Sequence, residues 1–438
     1  MQDIILRGEV LHFLRDPGPD DDAAAWQHWP DGYVAIHAGR IAGCGDWAAL
    51  SAPSLAAANV HDHRGRLILP GLIDCHLHYA QAGIIGAFGR QLLDWLQHYT
   101  FPAEAAFADA ELARRTADFV LDRLLAHGTT TAAVFATVHP VSVDALMAAA
   151  LARNMRLIGG KVLMDRHAPP ALCDSAERGA AESAALIARW HGKGRLAYAV
   201  TPRFAPTSTP RQLQLAGELY ASTPGLYVQS HLAENRAECQ WVAQLFPGRS
   251  DYLDVYRHYG LLGPRCIYGH GIHLDAAQRQ LLAASGTALA FCPSSNLFLG
   301  SGFFDYHAAR QAGVAVGLAS DIGAGTSLSL IRTLGDAYKV SQCRQQPLPP
   351  LRGWYLATLA GAEALRLEHC LGNFAVGKEA DCVVLAPAAT PELAFRLQGV
   401  TSLAERLFAL ATLGDERCVA ATYVAGQQVG RSVPPAGP

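Results

Sequence analysis

From about residue 69 to 370 the chain alternates short apolar runs with longer Ala/Leu-rich stretches of helical character. Leu226–Ser230, Cys266–Gly269 and Val314–Ala319 are runs of the first kind; Asp109–His127, Pro140–Asn154 and Asp275–Ser285 are stretches of the second. Runs so short and so uniformly apolar suit strands buried on both faces, and their alternation with helices predicts a parallel α/β fold, here a (β/α)8 TIM-type barrel. The chain ends follow another pattern. Residues 1–68 read as short strands and turns, for example Gly32–Trp47 with breaks at Gly39-Arg40 and Gly43, and the acidic Asp16–Asp22 is expected as an exposed loop. Beyond Gly372, turns and strands return in Gly377–Leu385 and Val419–Val429. The expectation is a barrel over 69–371 beside one small β-rich domain built from 1–68 and 372–438, with a disordered tail at Pro434–Pro438.

Four places in the barrel region end an apolar run on a residue able to bind a metal or carry a proton. In Leu69–His78 the two histidines, His76 and His78, lie two apart, so in a strand they leave the same face together with Asp74. Two neutral imidazoles converging at a strand end make half a site for a divalent cation such as zinc. Further on, His231 ends one run with Glu234 three residues later, His270 ends the next, and Asp321 follows Val314–Ser320. Each has an ordinary reading by itself: a hydrogen-bonded histidine, a solvated acid at a helix start, a helix cap. His273 competes with His270, and strand parity does not separate them because Gly271 can end the strand. It is the conjunction, in order along one barrel-like chain and at the strand ends where such barrels carry their chemistry, that points to a metal-dependent site. A carboxylate such as Asp321 is costly to desolvate without a cationic partner.

Composition narrows the function. Half of the 438 residues are hydrophobic, 17% are charged and the net charge is -3, which fits a large core and gives no basic excess for nucleic acid. Met1–Leu6 lacks signal-peptide order, and no stretch reaches the ~18–20 apolar residues of a membrane span. The ten cysteines include no Cys-x-x-Cys, which suits reduced thiols in a cytoplasmic enzyme and excludes the Pro-Cys-x-x-Cys zinc site of one class of nucleobase deaminases.

The order His-x-His, His-x-x-Glu, Gly-His, Ser-Asp resembles the amidohydrolase superfamily, and more narrowly its guanine deaminases. The narrower resemblance is carried by Gln91–Glu104, Thr137–Leu146, Gly160–Arg166, Thr201–Ser208 and Asn296–Gly302, while Ala357–Ala362 and Gly377–Asp381 are general to the superfamily. It covers roughly residues 65 to 385 well; Cys75, Ser320 and Ile272 depart from it without removing a proposed ligand. The resemblance implies one Zn2+ per chain held by His76, His78, His231 and Asp321, with Asp321 taking a proton from the attacking water and His270 orienting that water. It implies Glu234 as the group that protonates the purine at N3 and then helps the amine leave, with xanthine as product and a homodimer as the assembled form. Guanine presents N7 and O6 as adjacent acceptors that an arginine fork matches, and Arg203 is the candidate; Phe204 could stack on the purine or offer its backbone N–H, and Gln81 could meet the polar ring edge. Plain alternatives are a rim ion pair for Arg203, core packing for Phe204, and core packing for Trp95 and Phe101 rather than a lid. Rival functions are another hydrolase on this scaffold, acting on an 8-oxopurine, a pterin or a triazine, and a non-catalytic scaffold protein, against which the intact ligand set argues.

Overall fold

The computed structural model describes residues 3–51, 58–89 and 91–429. In chain order its strands are β1 (Ile4–Phe13), β2 (Trp26–His37), β3 (Arg40–Asp46) and β4 (Asn59–Pro70); then β5 (Leu72–His78), β6 (Thr129–Phe135), β7 (Arg156–Gly160), β8 (Val162–Leu163), β9 (Leu196–Pro202), β10 (Tyr227–Leu232), β11 (Cys266–His270), β12 (Ala288–Phe291) and β13 (Val316–Leu318); and last β14 (Cys382–Leu385), β15 (Val419–Val424) and β16 (Gln427–Val429). β5, β6, β7, β9, β10, β11, β12 and β13 pair in that order, all parallel, as a nearly closed eight-stranded barrel, with β8 beside β9. Its two edges are stitched at the top, where the His78 N–H donates to the Ile322 carbonyl at 2.7 Å and the Asp321 N–H to the His76 carbonyl at 2.9 Å. Closure thus joins the first strand's histidines directly to the last strand's aspartate.

The expected helices form around the barrel at Ala110–Ala126, Pro140–Ala152 and Ala276–Ser285. The last shows why its boundaries were legible. Asp275 and Gln278 cap each other's backbone N–H groups, and Gly286 ends the helix at φ 73°, a left-handed turn that glycine adopts at little cost.

Both chain ends do build a second sheet, in the order β16-β15-β14-β4-β1-β2-β3. Three details differ from expectation. The N-terminal strands are long, up to twelve residues, and Gly43 lies within β3 instead of breaking it. Asp16–Asp22 is not a free loop: Asp16 accepts from Arg352 at 2.9 Å and Arg310 at 3.1 Å, and Asp21 accepts from the backbone at Leu351 and Arg352. The C-terminal part is also partly helical, at Pro391–Arg396 and Leu403–Leu413, because Leu407 and Leu410 bury against the helix carrying Trp354, whose indole N–H donates to Leu407 O at 3.0 Å. The tail at 434–438 lies outside the described residues.

Sheet and barrel meet at Gly71, between β4 and β5. A Cβ there would sit 2.1 Å from Thr130 Oγ1, so only glycine lets the chain pass. Alongside, Arg195 bonds Glu379 at 2.6 Å and Asp381 at 2.6 Å, and Arg156 bonds Glu379 as well. Both arginines stand at the starts of barrel strands, the end opposite the site, so this cluster serves stability. Glu379→Gln is expected to cost about 3 kcal/mol, since it leaves two largely buried guanidinium groups short of a counter-charge. Burial alone would raise the Glu379 carboxyl, but Arg156 and Arg195 hold it below the usual range. Its contribution is therefore present above the unfolded glutamate pKa of about 4.3 and lost as pH falls through the lower folded value. Thermal melts of wild type and variant should differ at pH 7 and converge in acid.

Candidate active site

The site is assembled at the C-terminal ends of the barrel strands. His76 and His78 finish β5 on its inward face, as the two-residue periodicity predicts. His231 comes from β10, His270 ends β11, Glu234 lies just past β10 and Asp321 just past β13. Strand alternation does not reach Asp321, which turns inward through a left-handed backbone at φ 50°; His270 does the same at φ 73°. Two non-glycine residues in that region, each costing on the order of 1–3 kcal/mol, mark a place where surrounding structure is invested in aiming side chains.

Ligand atoms of His76, His78 and His231 lie within 4.8 Å of one another, as do those of His76, His270 and Asp321. His78 Nε2 and His231 Nε2 are 3.1 Å apart, and His76 Nε2, buried, has no hydrogen-bond partner. Asp321 Oδ1 stands 3.3 Å from His76 Nε2 and 3.6 Å from His78 Nε2. Burial pushes His78 and His231 well below the usual histidine range, and neighbouring imidazoles push them further, so both are neutral with lone pairs available. Asp321, despite burial that would raise it, is held low by His76 and stays ionised. Three imidazole nitrogens and a carboxylate oxygen converging at this spacing fit a divalent cation.

Neighbouring groups fix the ring orientations. The Arg203 carbonyl accepts from His231 Nδ1 at 2.6 Å, which leaves Nε2 for the cluster. Asn296 Oδ1 accepts from His270 Nδ1 at 2.9 Å, turning His270 Nε2 toward Glu234 Oε2 at 3.3 Å and Asp321 Oδ2 at 3.8 Å. Gly269 gives the His76 ring its room, since a Cβ there would approach Cε1 to 2.9 Å. Asp74, on the same strand face, does not join the cluster; its Oδ1 accepts the Ser320 N–H at 3.0 Å and so anchors the turn into Asp321. His273 is half-buried and bonds the Ser301 carbonyl at 3.1 Å, which leaves His270 as the histidine of the site.

Glu234 is 3% exposed, and burial raises its carboxyl to about 7, with the nearby charges of Asp321 and Glu238 adding to the effect against His270 and Ser301. Ser301 Oγ donates to its Oε1 at 3.0 Å. The cavity in front of the cluster is lined by Gln81, Trp95, Arg203, Phe204 and Glu234 among others. Phe204 lines this cavity and also packs with Leu92, Trp95 and Phe101, so the core-packing reading does not remove it from the cavity wall. Arg203 does form a buried ion pair, with Nη1 2.8 and 2.7 Å from the two Glu104 oxygens, while still lining the cavity.

Two buried acids here carry no local signal in the chain. Glu104 stands in the first turn of the helix Phe101–Ala105, where an acid is ordinarily solvated. Glu238 reads as half of a capping box with Asn235, which it is, yet it also receives the Tyr252 hydroxyl at 2.7 Å and the Glu234 N–H at 2.9 Å.

Comparison with known proteins agrees with this geometry. The model for the amidohydrolase family matches residues 67–429. The chain is 46% identical over 425 residues to guanine deaminase of Escherichia coli strain K12, covering 97% of each chain. The solved structure of the E. coli guanine deaminase superimposes with a TM-score of 0.93 at 44% identity, covering 98% of this chain and 99% of that one. A guanine deaminase from C. acetobutylicum, solved with guanine bound in its active site, matches with a TM-score of 0.89 at 28% identity over 98% of this chain and all of that one (100%). The chain belongs to the amidohydrolase family, among its guanine deaminases.

Proposed function

We propose that this protein hydrolyses guanine to xanthine and ammonia, using one zinc ion held by His76, His78, His231 and Asp321. The observation that carries the reading is Glu234: a buried carboxyl raised to about 7, beside a metal-type cluster and facing the cavity that Arg203 and Gln81 also line. An ion held there would supply Lewis acidity that lowers the pKa of a water toward about 7.

The chain's own groups carry out the rest. Asp321, ionised and inside the cluster, receives the proton of the attacking water. His270, aimed by Asn296, orients that water between itself and Asp321. Glu234 delivers its proton to purine N3 as C2 is attacked, takes up the proton of the new C2 hydroxyl and passes it to the 2-amino group, which leaves as ammonia while the C2 oxygen becomes the carbonyl; the proton held by Asp321 then restores Glu234. A carboxyl poised near neutrality gives and takes protons with comparable ease, which this double duty requires. Arg203 meets the N7/O6 edge, Gln81 the polar edge of the ring, and Phe204 covers a face. Burial around the cluster excludes bulk water from the proton transfers.

The reading takes a homodimer as the assembled form, on the family resemblance, and the cytoplasm as the compartment, supported by ten cysteines that are all free. No helix of the described residues is long and apolar enough to cross a membrane. Purified protein supplied with zinc should convert guanine to xanthine, releasing one ammonia per turnover, at about 1 s⁻¹ or faster. Absence of xanthine from protein that holds one zinc per chain would transfer the assignment to another amino-heterocycle.

A further inference from the structure

We infer that Glu104 sets the hydrogen-bonding polarity of the purine-recognition wall by gripping Arg203 and Gln81 together, and that this grip makes the pocket select a 6-oxo edge over a 6-amino edge. The inference rests on the proposed guanine reaction and deepens it.

Glu104 has no exposed surface. Its two oxygens accept from Arg203 Nη1 at 2.8 and 2.7 Å, and Oε1 also accepts from Gln81 Nε2 at 2.9 Å. The far end of the same amide is held too, because Gln81 Oε1 accepts the Gly323 N–H at 3.2 Å. A flipped Gln81 would set its oxygen against the Glu104 carboxylate and its NH2 against the Gly323 N–H, so both ends oppose the flip. The three elements that meet here are separate in the chain: the turn after β5, the end of β9, and the helix Phe101–Ala105. Glu104 therefore fixes, from one point, two cavity-lining groups that follow different barrel strands.

Such a wall has a definite polarity. A guanidinium anchored by one nitrogen has its plane set, and it carries only donors. Facing N7 and O6 of guanine it meets two acceptors; facing a 6-amino purine it meets a donor, leaving buried polar groups opposed or unpaired. The plainer reading of Glu104 is a buried ion pair that fastens its helix to the barrel. Buried pairs are weak contributors to stability compared with apolar packing, and both groups that Glu104 holds, Arg203 and Gln81, line the cavity with Glu104 behind them, which assigns the pair to recognition. Glu104 touches no reacting atom, so it is a positioning residue.

The test compares the zinc-loaded wild-type protein with Glu104→Gln, which keeps the shape and removes the charge. KM and kcat are measured for guanine, together with calorimetric binding of hypoxanthine and adenine, two purines that lack the 2-amino group and differ at position 6. Wild type should bind hypoxanthine at least about 10-fold more tightly than adenine, and the variant should lose most of that ratio. KM for guanine should rise about 10-fold in the variant while kcat stays within a few-fold, with zinc content and melting temperature retained. A ratio unchanged in the variant, or a fall in kcat and melting temperature with KM and ratio intact, would make Glu104 a structural clamp and overturn the inference. Should Glu104→Gln not fold, Glu104→Asp serves: the shorter carboxylate cannot span both partners, and an undiminished ratio there refutes the idea equally. Wild type that turns over guanine without preferring hypoxanthine removes this inference alone, whereas wild type that leaves guanine intact removes the reaction.

Discussion

Glu234→Gln is expected to lower kcat for guanine by about 10³-fold while zinc content stays at one per chain and KM changes little. The amide has nearly the same shape and can still receive the Ser301 hydroxyl, which lies 3.0 Å from Oε1. What it cannot do is carry a proton to N3 and then to the departing amine. Substrate contacts by Arg203 and Gln81 are untouched, which is why the loss belongs in kcat. The size is that of a lost general acid–base group; burial first, then the nearby carboxylates, raise Glu234 to about 7, which favours that role. A variant that keeps even a tenth of wild-type turnover would assign the proton transfers to another group, with His270 at 3.3 Å the first to examine. A variant that loses its metal would instead show that Glu234 helps hold the cluster together, which the separation between roles proposed here does not allow.

What could be read from the chain and what could not divide along a physical line. His76 and His78 were legible because strand periodicity is two and both residues lie inside β5, so their shared face follows from spacing alone. The helix at 276–285 was legible because its caps are local in sequence. Asp321 is legible only as an acid following an apolar run; its aim is not, since the strand stops at Leu318 and a left-handed turn directs the side chain. The choice between His270 and His273 needed Asn296, 26 residues away, whose amide fixes the His270 ring. Glu104 and Glu238 escaped for a related reason. Their local sequences announce a helix start, and nothing nearby reveals that Arg203, 99 residues on, or Tyr252 will bury against them. The helix at 403–413 was overlooked because its apolar face has a purpose only once the helix carrying Trp354 is in place. Periodicity and capping are properties of a segment; burial of a polar group is a property of the fold.

Removal of the metal is the second large effect. Chelation should abolish guanine turnover, zinc should restore it, and the apoprotein should melt at a lower temperature by an amount that depends on free zinc, because an ion that binds only the folded chain stabilises it by mass action. The structure gives the reason for the stability change: His78 Nε2 and His231 Nε2 converge to 3.1 Å and Asp321 Oδ1 stands 3.3 Å from His76 Nε2, a buried gathering of acceptors that a cation satisfies. Asp321→Asn sharpens the test. The amide can mimic the carboxylate's shape, yet it brings no charge to the three imidazoles and cannot receive the water's proton, so zinc occupancy should fall below one per chain and kcat by about 10⁴-fold. Excess zinc separates the two contributions: occupancy restored without turnover assigns Asp321 to proton transfer as well as to binding. Recovery of turnover along with occupancy would leave Asp321 as a ligand only and pass the water's proton to His270 or Glu234. Indifference of the wild type to chelation, with no metal found in the protein, would refute the metal site itself and with it the chemistry assigned to these strand ends.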